Sequence, residues 1–278
     1  MKQLVVNKKH YSFPEKWQEL SKNQFLKIAF TRLNFEDSDN ETEYQATRII
    51  LFKILSGVPD HIIAVIEPVQ WLDLLPHVNW TLEVPTYTTN PIPIIRYRSF
   101  FTRKTLFGPI DLLRTSSFKE FREADQAFLN FTNNKNWDSI WLLMAILWRP
   151  KRKDISDYKT NPMKWDGDVR EPLNLAFAKR RALIYKHRIP QYYAIAVFLY
   201  YLCARDRALI KNTLLQPLFR GSSKPSKLGW FETLLEMSNT KFGTAEQTDE
   251  ENWLVILVEM ARQIELSERI KQANKPNK

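Results

Sequence analysis

Residues 137–148, WDSIWLLMAILW, constrain the fold of this chain more than any other stretch. Trp137, Ile140, Trp141, Met144, Leu147 and Trp148 share one helical stripe, and Leu142, Leu143, Ala145 and Ile146 fill the other sides. A helix that is apolar all round belongs in a protein core or a bilayer. The unbroken run from Ile140 to Trp148 is about half of the roughly 20 residues that a bilayer span needs, so a core helix is expected. It should end at Arg149, because Pro150 lacks an N–H and disfavours helical geometry in the residue before it.

The approach to this helix is equally legible. Gly108-Pro109 is a turn signal, since glycine tolerates positive φ and proline fixes its own. Ser117 with Glu120 three residues on has the form of a capping box. Phe118, Phe121, Ala124, Phe128 and Phe131 then follow at steps of three and four, which places them on one face. Residues 132–136 break the pattern, and Asn136 is the expected N-cap of the apolar helix.

Towards the N-terminus, Pro14 marks a helix start, with Trp17 and Leu20 one turn apart. Ser21 should cap a second helix bearing Phe25, Ile28 and Ala29. Residues 36–41 alternate acids but lack the glycine and distal glutamate of an EF-hand, so they read as a solvated loop. Residues 43–56 form a helix with Ala46, Ile49, Ile50, Lys53 and Ile54 at helical spacing, stopped by Gly57 and Pro59. Residues 60–75 give another, through Ile62, Ile63, Ile66, Val69, Leu72 and Leu74, with a turn or kink at Pro68. Between Pro76 and Thr105 the β-formers of 80–84 and 94–98 predict a small inserted hairpin, too small to be stable alone.

After a loop-like segment to Pro172, residues 173–188 read as a helix with Leu173, Ala176, Phe177, Ala182, Leu183 and Ile184 inward. Residues 191–215 form a second very apolar helix, whose run Tyr192–Ala204 is again too short to cross a membrane. A basic loop (216–228) precedes a helix from about Trp230 to Met237. A last helix is capped by Thr248 with Glu251, bears Trp253, Ile256, Leu257, Met260 and Ile264, and ends in a fraying tail.

The expected architecture is mainly α: a multi-helix bundle with an inserted small β-hairpin. Residues 1–75 are an N-terminal helical part, 76–105 the hairpin insertion, and 106–272 a central and C-terminal helical part that forms one compact domain with 1–75. Residues 273–278 are the frayed tail.

With 44% apolar and 26% charged residues, the composition is that of a globular chain. Six glycines argue against Gly-rich phosphate loops and turn-dense all-β folds. The single cysteine, Cys203, sits inside an apolar run and reads as a packed thiol in a reducing compartment. Leu4-Val5-Val6 is too short for a signal-peptide core, so the expected location is the cytoplasm.

Catalytic patterns are scarce. His10, His61, His77 and His187 are scattered, and no nucleophile-elbow, zinc-helix, Walker or dinucleotide signature is present. Asp166 and Asp168 come nearest to a paired carboxylate site for a metal or for acid–base work. Acids flanking a glycine more often bond their own backbone in a turn. The expectation is a protein that is not an enzyme and that takes no metal, cofactor or small molecule.

Charge is more informative. Residues 149–227 hold 18 lysines and arginines against 6 acids, an excess of 12 in a chain whose net charge is +10. The candidate contact residues are Arg149, Lys151, Arg152, Lys153, Lys179, Arg180, Arg181, Lys186 and Arg188, interleaved with Trp165, Tyr185, Tyr192 and Tyr193. Cations near aromatics suit a nucleic-acid groove. They equally suit a face that meets an acidic protein partner.

Three stretches carry a resemblance. Phe13–Leu20 with Phe25, the turn Phe107–Leu113 leading to Phe118–Phe121, and Gly229-Trp230-Phe231 with Lys241-Phe242-Gly243 are together similar to largely uncharacterised proteins of Bacteroidetes phages and prophages, encoded among tail genes. The resemblance implies a tail-assembly chaperone or accessory tail protein, non-enzymatic and acting by protein–protein contacts in the host cytoplasm or on the virion. Another tail protein or a second copy of the chain would be its partner. It implies no catalytic residues. The alternative is a nucleic-acid-binding helical protein that uses segment 149–227.

Overall fold

The computed structural model describes residues 2–6, 9–35, 40–99, 101–160, 167–210, 213–215, 229–238 and 241–274. Most of the acidic run, together with Trp165, Asp166 and the basic loop 216–228, lies outside them. A hairpin of β1 (Lys2–Val6) and β2 (Lys9–Phe13) precedes helices α1 (Lys22–Phe35), α2 (Glu41–Ser56), α3 (Asp60–Ile63) and α4 (Pro68–Leu74). A second hairpin, β3 (Ile94–Ser99) with β4 (Thr102–Phe107), leads to α5 (Phe118–Asn134), α6 (Trp137–Leu147) and α7 (Ile155–Thr160). Helices α8 (Leu175–Arg188), α9 (Gln191–Arg205), α10 (Trp230–Ser238), α11 (Ala245–Glu250) and α12 (Trp253–Ala273) complete the chain. The fold is mainly α with a small inserted hairpin, as the sequence predicts, whereas the β1–β2 hairpin lies in a part expected to be helical.

Helix α6 is the hub. It packs on α5, α8 and α9, and Ile140, Leu143–Leu147 and Trp148 are buried. Helix α9 is the second buried rod, closed over by α1. Among the described residues no helix is long and apolar enough to cross a membrane. Local chemistry sets the ends. Asn136 caps α6 by accepting from the Asp138 N–H, Ser21 Oγ accepts from the Gln24 N–H at α1, and Gly57 closes α2 at φ +66°. Cys203 is buried and donates to the Tyr87 carbonyl, a packed thiol.

Several expectations need correction. Residues 80–84 are not a strand: Leu75–Leu82 is a 3-10 helix, and the partner of Ile94–Ser99 is Thr102–Phe107. Tertiary anchoring overrides β-propensity here. Trp80 stands edge-on to Trp17, Thr81 bonds back to the Val78 carbonyl, and Arg32 donates to the Thr81 and Glu83 carbonyls. Pro14 starts no helix, because Phe13 still belongs to β2 and only Trp17–Glu19 turns. The turn expected at Pro68 divides residues 60–75 into two helices separated by residues 64–67, with Glu67 forming a capping box with Gln70; Val69 and Leu72, expected on the apolar face, are exposed.

Thr248 lies inside α11, bonded to the Thr244 carbonyl, while Asn252 caps α12. That helix runs to Ala273, the boundary expected for the tail. Helix α8 buries Ala178, Ala182 and Tyr185, so Phe177, Leu183 and Ile184 point outward.

Candidate functional site

The cationic residues singled out by sequence divide into an interior group and a surface group. Arg149 follows Trp148, the C-cap of α6, and its backbone pairs with Phe107 at the end of β4 (2.8 and 3.1 Å). That pairing turns its side chain inward. Lys151 bridges to Arg170, and the Arg152 N–H bonds the Val169 carbonyl, so segments 149–152 and 168–171 lie side by side. Asp168 follows Gly167 (φ +83°) and accepts from the Arg170 N–H at 2.9 Å, the self-bonded turn that its sequence suggests.

Four buried charges result. The Arg170 Nε and Nη2 donate to both Asp168 oxygens (2.9–3.0 and 2.6 Å), and its Nη2 also donates to Glu120 Oε2 at 2.9 Å. Arg149 pairs with Glu120 Oε1 and lies 3.7 Å from Asp168 Oδ2. Ser117 accepts from the Glu120 N–H as a cap should. The Glu120 carboxylate does not return to the cap; it enters this network.

Helix termini favour the arrangement. Arg149 and Arg170 donate to the Ile146 and Leu147 carbonyls at the C-terminal end of α6, and Glu120 occupies the first turn of α5. Burial opposes the charge of Arg170, but Glu120 and Asp168 outweigh it and raise its pKa. Burial lowers Arg149 even though Glu120 supports its charge. The two acids and two arginines balance in charge, and no group of three His, Cys, Asp or Glu among the described residues could hold a metal. Asp168 is tied to Arg170, and Asp166 lies outside the described residues.

Above the network opens a cleft of about 550 Å³. Arg149, Arg152 and Arg170 line it together with the entry to α5 (Ser116, Ser117 and Lys119) and the end of α11 (Asp249 and Glu250). Arg149 Nε, Ser116 Oγ, Thr115 Oγ1 and Asp249 Oδ1 are buried without a hydrogen-bond partner.

The other candidates sit apart. Arg152 is buried and pairs with Asp154 at 3.0 Å, whereas Lys151 and Lys153 are exposed. On α8, Lys179, Arg180 and Arg188 are exposed, Arg181 pairs with Glu171 and stacks on Phe177, and Lys186 pairs with Asp138 at 2.7 Å. Arg180, Leu183, Ile184 and His187 lie opposite the buried Ala178–Ala182–Tyr185 stripe.

No family model, curated protein or solved structure matches this chain.

Sequence reasoning missed two members of the interior group. Glu120 was absorbed into a capping pattern, and Arg170 was one cation among many. Burial alone separates these from the solvated charges, and no local pattern reports it.

Proposed function

We propose that this protein is a non-enzymatic assembly factor of a phage-type tail, chaperone-like or accessory, that works by protein contact through the outer face of α8. One observation carries the reading: Phe177, Leu183 and Ile184 are 51%, 62% and 45% exposed on a helix that also presents Lys179, Arg180 and Arg188. Fully covering such side chains is worth roughly 1.5–3 kcal/mol each. The surrounding cations select a partner whose apolar patch is edged with acids. The assignment to a tail rests on the resemblance in residues 13–25, 107–121 and 229–243.

Nucleic-acid binding is the second reading, favoured by exposed Lys151 and Lys153 beside segment 168–171, whose Glu171 pairs with Arg181 of α8. Leucine and isoleucine gain little from phosphates, and base stacking uses aromatic faces, so the outer face of α8 suits a protein better.

Co-expression with the products of adjacent tail genes tests the proposal. The wild-type chain should co-purify with one of them, and Leu183→Asp/Ile184→Asp should release it while remaining folded. Retention of the partner by the double variant, or capture only of nucleic acid that is lost steeply with salt, would reject it.

A further inference from the structure

The interior network is neutral in charge, yet it leaves Arg149 Nε without a partner at the cleft above it. Lys119 is half-buried on the second residue of α5 and has no ion-pair partner among the described residues. A cation at a helix N-terminus opposes the helix dipole; the cleft's arginines, by contrast, are paired with acids, Arg149 with Glu120, Arg152 with Asp154 and Arg170 with Asp168.

Unused hydrogen-bonding groups point the same way. Arg149, 1% exposed, has an unpartnered Nε–H, and Ser116, fully buried, has an unpartnered hydroxyl. Thr115 adds a second free hydroxyl. Leaving buried donors without partners is unfavourable, so a ligand that accepts from them is favoured. The opposite wall carries two acids, Asp249 and Glu250; Asp249 gives one oxygen to Arg122 at 3.1 Å and leaves Oδ1 buried as an unfilled acceptor.

We infer that the cleft between the start of α5 and the end of α11 binds a protonated phosphate-type oxyanion, either inorganic phosphate or a small phosphate monoester. Its unprotonated oxygens accept from Lys119, Ser116 and Arg149, and its P–OH donates to Asp249 Oδ1. Sulfate, fully ionised near neutral pH, has no proton for Asp249 and meets the carboxylate as a like charge. The volume, about 550 Å³, leaves room for the organic part of a monoester. This site is separate from the α8 face and departs from the expectation that the chain takes no small molecule.

Titration of the full chain with sodium phosphate, sodium sulfate and sodium chloride at matched ionic strength, read by calorimetry and by amide chemical shifts, tests it. Phosphate should bind with sulfate at least about tenfold weaker, and the largest shifts should fall on residues 115–120 and 249–252. Lys119→Met, which breaks no pair, should weaken phosphate by roughly tenfold or more, while Lys104→Met on the exposed hairpin should leave it unchanged. A monoester such as glycerol phosphate binding more tightly than phosphate would identify the monoester as the ligand. Equal effects of the three anions, or undiminished phosphate binding by Lys119→Met, would overturn the inference.

Discussion

Glu120, in the first turn of α5, pairs with Arg149, just past the end of α6, and both side chains are buried. The pair joins two helix termini of opposite polarity, and Arg170 with Asp168 completes it from a segment further along the chain. Removing one member leaves a buried charge uncompensated. Glu120→Ala should therefore cost about 3–5 kcal/mol, measured by denaturant unfolding. Glu120→Met with Arg149→Met should recover part of that loss, because Arg170 keeps Asp168; a double-mutant cycle gives the coupling.

Asp125 makes a second buried knot. It accepts from Tyr201 (3.1 Å), Arg205 (2.6 Å) and the Trp230 indole (2.8 Å), tying α5 to α9 and α10. Asp125→Ala should destabilise the chain by about 3 kcal/mol or more. Amide exchange of residues 230–238 should rise ahead of that of α6, since this contact holds α10 down.

Gly108 is needed for space. A β-carbon there would sit 2.5 Å from the Trp148 ring and 2.7 Å from the Asn90 amide. Both are fixed, Trp148 by its bond to the Ile92 carbonyl and Asn90 by its bond to the Pro109 carbonyl. Gly108→Ala should cost about 1–3 kcal/mol in thermal or denaturant unfolding.

Glu259 supplies a pH test. Hydrogen bonds from Arg262 and Lys241 pull its carboxyl down to about 2 from an ordinary 4.5. A carboxyl lowered by folding stabilises the protein fully above its unfolded value, and the contribution disappears as pH falls from about 4.5 to about 2. Both cations are largely exposed, which limits the contribution to about 1 kcal/mol or less. Glu259→Gln should flatten the acid limb of the stability curve in that window and leave neutral pH little changed.

Features set by neighbours in the chain were legible in the sequence. The caps at Asn136 and Ser117, the stop at Gly57 and the buried α6 all follow from patterns a few residues long. Features decided by tertiary choice were not. Leu183 and Ile184 count as apolar on any scale, but α8 presents two stripes that could turn inward, and the small Ala178–Ala182 face lets α6 approach more closely. Trp80–Val84 favours strand locally and is overruled by the contact with Trp17. The cleft brings residues 115–119 to 249–250, and a single sequence carries no signal across that distance.

The most direct measurement is hydrogen–deuterium exchange on the chain with and without any protein that co-purifies with it when adjacent genes are co-expressed. The proposal predicts new protection concentrated in residues 175–188, absent in Leu183→Asp/Ile184→Asp. Protection elsewhere with α8 unchanged would contradict it.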